Sequence, residues 1–250
     1  MAALKSVLHM LWMLVTVIPV AMVLLIAALL QFNGHVLYKI AVFWLMLAVK
    51  GAQYIIGIDY VVKGRENLPS LDRPCILLVK HQSTYETFLM PVIMPKDLAY
   101  VFKRELLYVP FFGWSIGQLD MIHIDRKLKS QAFQKVVQQG KDLLNKGIWV
   151  IMFPEGTRIE RGQAGNYKSG GARLAIEAGV PVIPVAVNSA TCWPRKAFIK
   201  RPGTVTVSIG PAISSEAIQA DELMAEVEHW IEAEMRVLDP QAYALSGQTP

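Results

Sequence analysis

His81 and Glu86 stand in the segment Lys80-His-Gln-Ser-Thr-Tyr-Glu86, directly after an apolar run. That run, Pro74-Cys-Ile-Leu-Leu-Val79, reads as a buried strand. His81 therefore falls just past a strand's carboxyl end, where open α/β sheets hold their ligands. A histidine there can take a proton from a hydroxyl near neutral pH. A carboxylate on its other ring nitrogen fixes the tautomer and stabilises the imidazolium that forms. A second segment, Phe153-Pro-Glu-Gly-Thr-Arg158, also follows a strand-like run. Gly156 permits a tight turn, and Arg158 can grip a phosphate in a two-pronged fork. A third, Lys103-Arg-Glu-Leu-Leu-Tyr-Val-Pro-Phe-Phe-Gly113, adds the cations Lys103 and Arg104 at a further strand end.

Each segment also has a plainer reading. Ser83-Thr-Tyr-Glu86 fits a capping box, in which Ser83 caps a helix over Thr84–Met90 and Glu86 bonds back to the cap. The two roles of Glu86 are compatible, because a carboxylate has two oxygens. A strand-end histidine can be an ordinary hydrogen-bonded loop residue, and one arginine after a glycine turn is a weak signal by itself. Val180-Pro-Val-Ile-Pro-Val-Ala-Val187 has proline inside a strand-like run, which points to an edge strand or a bulge. It serves equally as a structural strand or as substrate contact. Ser83 lacks the Gly-x-Ser-x-Gly elbow of a serine hydrolase. No His-Glu-x-x-His occurs, and His81 and His123 have no local ligand partner, so no metal site is expected.

The elements that must position these residues alternate strand-like and helix-like from Asp59 onward, the α/β pattern. Strands are predicted at Asp59–Lys63, Cys75–Val79, Leu98–Phe102, Met121–Ile124, Trp149–Phe153, Val182–Val187 and Thr204–Ile209. Helices are predicted at Ser130–Lys146, stopped by Gly147, and at Ser169–Ala178, stopped by Gly179 with Pro181 beyond. A last helix over about Asp221–Leu238 places Leu223, Val227, Trp230, Ile231 and Met235 at helical spacing, a stripe suited to core packing. The expected fold is α/β, a mostly parallel or mixed sheet flanked by helices and preceded by an N-terminal membrane-embedded helical pair. Residues 1–58 would form the membrane-anchoring helices and 59–250 the catalytic domain.

The anchor is read from charge and length. No Asp, Glu, Lys or Arg occurs between Lys5 and Lys39, and Val7–Leu30 is apolar apart from His9, Thr16 and Pro19. As a helix that stretch would be about 36 Å long, against a hydrocarbon core of about 30 Å. Val36–Ile58 carries Lys39 and Lys50, leaving only Ile40–Val49 uncharged, which is short for a span. The second helix would lie in the interface, or both would enter one leaflet with the lysines reaching the head groups. The apolar region is longer than a signal-peptide core, and no clear small-x-small cleavage site follows it.

The chain has 25 basic and 20 acidic residues, and its net charge of +5 suits an anionic membrane face or an acidic partner. Arg195, Lys196, Lys200 and Arg201 form a basic loop that could meet an acidic carrier protein or a lipid surface, or simply be solvated. Cys75 and Cys192 show neither disulfide nor metal-ligand spacing, which fits a reducing compartment.

The four segments, in this order and spacing over roughly Lys80 to Val187, resemble the glycerolipid acyltransferase family, in particular its members that act on 1-acylglycerol-3-phosphate. The resemblance implies a catalytic pair: His81 as general base and Glu86 as the acid that holds it. It places Lys103 near the substrate phosphate, within a motif matched by Lys103, Glu105, Leu106, Pro110 and Gly113. Glu155, Gly156, Thr157 and Arg158 are implied as substrate-binding residues, with Arg158 on the phosphate. Val180, Pro181 and Pro184 would shape the site. Glu86 stands where most members have aspartate, and Lys80 replaces the asparagine often seen before the histidine.

The implied reaction moves an acyl chain from a thioester to the free sn-2 hydroxyl of lysophosphatidic acid, giving phosphatidic acid for phospholipid biosynthesis. It needs no cofactor and no nucleic acid; acyl carrier protein or coenzyme A would present the thioester. Membrane lipids would be partners, and the expected location is the inner membrane with the catalytic domain on the cytoplasmic side. Another lysolipid acceptor, a lyso-ornithine lipid or a lysophospholipid, fits the same machinery. A non-catalytic protein that binds anionic lipid would also carry basic loops and an apolar N-terminus.

Overall fold

The computed structural model describes residues 1–124 and 129–245, with backbone alone for 129–133 and Leu245. Seven strands form one sheet: β1 (Ile58–Lys63), β2 (Ile76–Val79), β3 (Leu98–Lys103), β4 (Ile122–Ile124), β5 (Trp149–Met152), β6 (Val182–Val187) and β7 (Gly203–Ile209). Their order is β1-β7-β6-β2-β5-β3-β4. The block from β6 to β4 is parallel, while β7 runs antiparallel to β6 and carries β1 alongside it in parallel. The sheet is mixed, as the sequence leads one to expect.

The apolar run at β2 has no polar alternation because both of its faces are covered. Leu77 and Val79 join a core with Val49, Tyr85, Leu89 and Trp149, whereas Ile76 and Leu78 join one with Val136, Ala172, Leu174 and Leu223. The period of two sends alternate side chains into two different cores. α1 (Ala2–Leu29), α2 (Gly34–Gly51) and α3 (Tyr85–Ile93) serve the first face, with the short α4 (Phe112–Ile116) against α1. α5 (Lys129–Asn145), α6 (Gly170–Ala178), α7 (Ala220–Leu238) and α8 (Pro240–Leu245) serve the second.

Of the two positions open to the proline-bearing strand, an edge or a bulge, the structure has the bulge. β6 lies inside the sheet between β2 and β7, and all its residues are buried. Proline is tolerated there because the ladder with β7 is interrupted beside it. Val182 exchanges hydrogen bonds with Ile213, and Gly210 N–H donates to the Pro184 carbonyl, so the intervening segment bulges where Pro184 has no N–H to offer.

α1 and α2 pack antiparallel and lie along the domain. Near one end Trp12 Nε1–H donates to the Leu47 carbonyl (2.8 Å) and His9 Nε2 lies 3.1 Å from that of Ala48. At the other, Asn33 caps α2 by accepting from Val36 N–H (3.0 Å), Gly34 backs onto Asp120, and His35 Nδ1 meets Asp97 (2.7 Å). Val49, Ala52 and Ile56 enter the same core as Tyr85 and Leu89. The opposite face of α1 exposes Leu4, Leu8, Leu11, Leu14, Val15, Ile18, Met22, Val23 and Ile26. α1 and the helix that begins at Gly34 are both long and apolar enough to cross a membrane, and an exposed apolar face of that length is of the kind that meets lipid.

Candidate active site

β2, β5 and β3 are neighbours in the sheet and parallel, so the segments that follow them emerge at one edge. That edge brings together the His81 loop, the Phe153–Arg158 loop and Lys103. His81 Nδ1–H donates to Glu86 Oε1 (2.9 Å), which leaves Nε2 as the nitrogen that can serve a substrate. The histidine side chain keeps 16% of its surface exposed, whereas Glu86 has none. The ring stacks on Phe153, with centroids 3.9 Å apart and planes 15° from parallel.

Glu86 makes both of the contacts anticipated for it, with His81 and with the backbone of Ser83. Besides the histidine, its Oε1 accepts from the backbone N–H groups of Gln82 (2.8 Å) and Ser83 (2.6 Å). Ser83 Oγ accepts from Tyr85 N–H (3.0 Å), completing a capping arrangement at the start of α3. Oε2 meets a residue that sequence reasoning missed: Ser189 Oγ–H donates to it at 2.6 Å from a fully buried position just after β6. A serine two residues past a strand carries no local signal. Only the pairing of β6 with β2 brings it beside α3.

Three donors besides the histidine thus hold a buried carboxylate that in turn holds His81. Ser189→Ala strips the donor from Oε2 and frees the carboxylate to rotate. A hydrogen bond to a charged group contributes about 1.5–3 kcal/mol, so a loss of at least about tenfold in kcat is expected, with Ser189→Thr restoring part of it. Steady-state rates of the two purified variants check this; equal rates for alanine and wild type would remove Ser189 from the arrangement.

The second loop is stitched to the first through its backbone. Ile159 N–H donates to the His81 carbonyl (2.7 Å), and His81 N–H donates to Glu155 Oε1 (3.1 Å). Gly156 has a φ of 66°, the left-handed region that glycine adopts freely, in a turn closed by its N–H on the Phe153 carbonyl (2.9 Å). Arg158 is half-buried; one terminal nitrogen donates to Thr84 Oγ1 (2.7 Å), which places the guanidinium over the residues that link His81 to α3. Thr157 and Lys103 are exposed at the rim.

Glu155 sits differently from the substrate-facing position that the resemblance implies: its side chain turns inward. It lies 3.6 Å from Lys80 Nζ, and both side chains are wholly buried. Lys80 Nζ also donates to Glu232 Oε1 on α7 and to the Gln163 carbonyl (3.1 Å), and lies 5.7 Å from the centre of the Tyr167 ring. Tyr167 donates to Glu232 Oε1 (2.8 Å) and Tyr243 to its Oε2 (3.3 Å). Burial pushes the Glu155 carboxyl above its ordinary value, against the lowering effect of Lys80. A buried ionic cluster therefore lies directly beneath the histidine, joining β2, the Phe153 loop and α7.

A histidine held by a carboxylate, with an arginine and a lysine at the same sheet edge, is suited to activating an alcohol on an anionic substrate. Residues 59–188 match the family described as Acyltransferase, and the chain belongs to that family. It is 42% identical over 210 residues to the 1-acyl-sn-glycerol-3-phosphate acyltransferase of Pseudomonas aeruginosa, covering 83% of this chain and 80% of that one. It is 30% identical to the alpha 1-acyl-sn-glycerol-3-phosphate acyltransferase of Mus musculus, over 72% of this chain and 64% of that one. Its fold resembles the crystal structure of the 1-acyl-sn-glycerophosphate (LPA) acyltransferase PlsC of Thermotoga maritima. The TM-score is 0.79 at 24% identity, over 94% of this chain and 95% of the other.

Proposed function

We infer that this acyltransferase moves an acyl chain from a thioester to the sn-2 hydroxyl of 1-acylglycerol-3-phosphate, forming phosphatidic acid. The observation that carries the reading is the His81–Glu86 pair, buried on the glutamate side and open on the histidine side, at the edge that holds Arg158 and Lys103. His81 Nε2 takes the hydroxyl proton as the oxygen attacks the thioester carbonyl. The tetrahedral adduct collapses, the C–S bond breaks, and the imidazolium returns the proton to the departing thiolate. Glu86 stabilises the imidazolium between the two transfers. Arg158 and Lys103 hold the phosphate so that the hydroxyl is presented at short range. The free thiol belongs to acyl carrier protein or to coenzyme A.

The lipid acceptor reaches the site from the bilayer on which α1 rests. A helical pair held along its length against a polar domain fits insertion into one leaflet better than a crossing of both. Free, buried Cys75 and Cys192 suit a catalytic domain on the cytoplasmic side of the inner membrane.

Arg158→Ala tests the acceptor. Loss of a charge-assisted bond of about 1.5–3 kcal/mol should lower kcat/KM for the phosphomonoester roughly 10- to 100-fold, and lower it less for lysolipids with zwitterionic or neutral head groups. Arg158→Lys keeps the charge without the fork and should fall between. Thiol release by the purified protein across a lysolipid panel reads the result. An equal loss for every head group would assign Arg158 to holding Thr84 and return the acceptor to a lysolipid of unspecified kind.

A further inference from the structure

The basic loop after β6 differs from the run of cations read in its sequence. Lys200 is buried: its Nζ lies 4.3 Å from the centre of the Trp193 ring and 5.8 Å from that of Phe198, and reaches the Phe198 carbonyl (3.5 Å). The residues that face out are Lys196 and Arg201, with Phe198 and Ile199 between them at 48% and 47% exposure. Two large apolar side chains projecting together between two cations are poorly placed for water and well placed for the boundary between head groups and acyl chains.

The loop is also pre-shaped. Lys196 has a φ of 58°, Ala197 N–H donates to the Pro194 carbonyl (3.1 Å), and Arg201 N–H closes the base on the Cys192 carbonyl (2.8 Å). It is fixed to the start of α1. Lys200 N–H donates to Ser6 Oγ (2.9 Å), and the His9 ring meets Trp193 edge-on at 5.5 Å. It therefore sits beside the N-terminal turns of α1, against the buried face that carries Ser6 and His9.

We propose that residues 195–201 are a second membrane contact, in which Phe198 and Ile199 enter the interface of an anionic bilayer while Lys196 and Arg201 meet its head groups. The proposal rests on the reading that α1 lies in lipid. An acidic carrier protein would be attracted by the same cations, but the exposed apolar pair between them favours the bilayer. The attachment reaches the site. Trp193 also packs on Tyr85 (6.3 Å) and Phe88 (6.1 Å) of α3, the helix that carries Glu86, so the seated loop braces the wall behind the catalytic pair.

The full-length protein, reconstituted in phosphatidylglycerol-containing or purely phosphatidylcholine vesicles, carries an environment-sensitive fluorophore at Phe198→Cys. Val15→Cys on α1 and Gln138→Cys on α5 serve as lipid and water references. On anionic vesicles the label at 198 should be quenched by shallow nitroxide lipids and protected from aqueous iodide, like that at 15 and unlike that at 138. Lys196→Ala and Arg201→Ala should each shift the balance toward iodide by about fivefold at low salt, and the shift should vanish at high salt.

A label at 198 that iodide reaches as freely as at 138, with that at 15 in lipid, overturns the loop contact alone. If the labels at 198 and 15 are both reached, the membrane reading of α1 falls with it. Protection at 198 that appears only when acyl carrier protein is added also overturns the proposal, and assigns the loop to the carrier.

Discussion

His81→Ala lowers turnover by about 10²- to 10⁴-fold, the usual contribution of a general base, while the protein stays folded and membrane-bound. Folding survives because the contacts that fasten this position are made by its backbone, through Glu155 and Ile159, and alanine retains both groups. What disappears is the imidazole between the substrate hydroxyl and Glu86. Thiol release by the purified variant, alongside its melting curve, gives the result. A folded variant within about threefold of wild type would involve less than about 1 kcal/mol of barrier, and His81 would not be the base.

Lys80→Met has the largest expected effect on stability, about 3–5 kcal/mol at neutral pH, because it leaves Glu155 and Glu232 buried without their cation. For a chain of this length that is a fall in Tm of about 6–20 °C. The loss should depend on pH. Glu155 already has its carboxyl raised above 4.5 by burial, and Lys80 is the largest influence opposing that rise. Without the lysine, the folded state holds protons that the unfolded chain has released. Stability then falls as pH rises above the ordinary carboxyl value, and part of the loss is regained toward acid. Glu228, Tyr167 and Tyr243 face the same cluster, and the two phenols can still donate to Glu232. Combining Lys80→Met with Glu232→Leu should recover part of the stability, since an apolar replacement leaves fewer charges stranded. Denaturant melts at pH 5 and pH 8 decide the matter: equal losses at both would attribute the effect to the missing lysine stem and not to charge.

The strands were legible because each is a short apolar run with turn residues on both sides, and the sheet places all of them within a residue or two of where the sequence does. The neighbourhood of His81, Phe153 and Lys103 was legible for the same reason, since parallel neighbours deliver their following loops to one edge. Pro184 left an edge and a bulge both open, and the structure has the bulge. A proline's missing donor says that one ladder bond is absent, and a neighbour that bulges satisfies this as well as no neighbour at all.

Ser189 and Glu232 lay beyond reach because their partners, Glu86 and Lys80, are distant along the chain and meet them only through tertiary packing. Glu232 was hidden further by following Ile231 in a helix whose apolar stripe reads as core. Lys80 looked like a polar substitution beside the histidine. Burial and an α7 partner make it a structural cation.

The pairing of β1 with β7 has a bearing on how the protein is made. β1 leaves the ribosome directly behind α1 and α2, yet its hydrogen-bonding partner is synthesised about 140 residues later. At 5–20 residues per second, that edge waits roughly 7–28 s for its mate. During the wait its unpaired N–H and C=O groups are open to the edges of other growing chains. The first and last strands close the sheet together, so a chain cut short before Gly203 leaves β1 with its designated edge unclaimed.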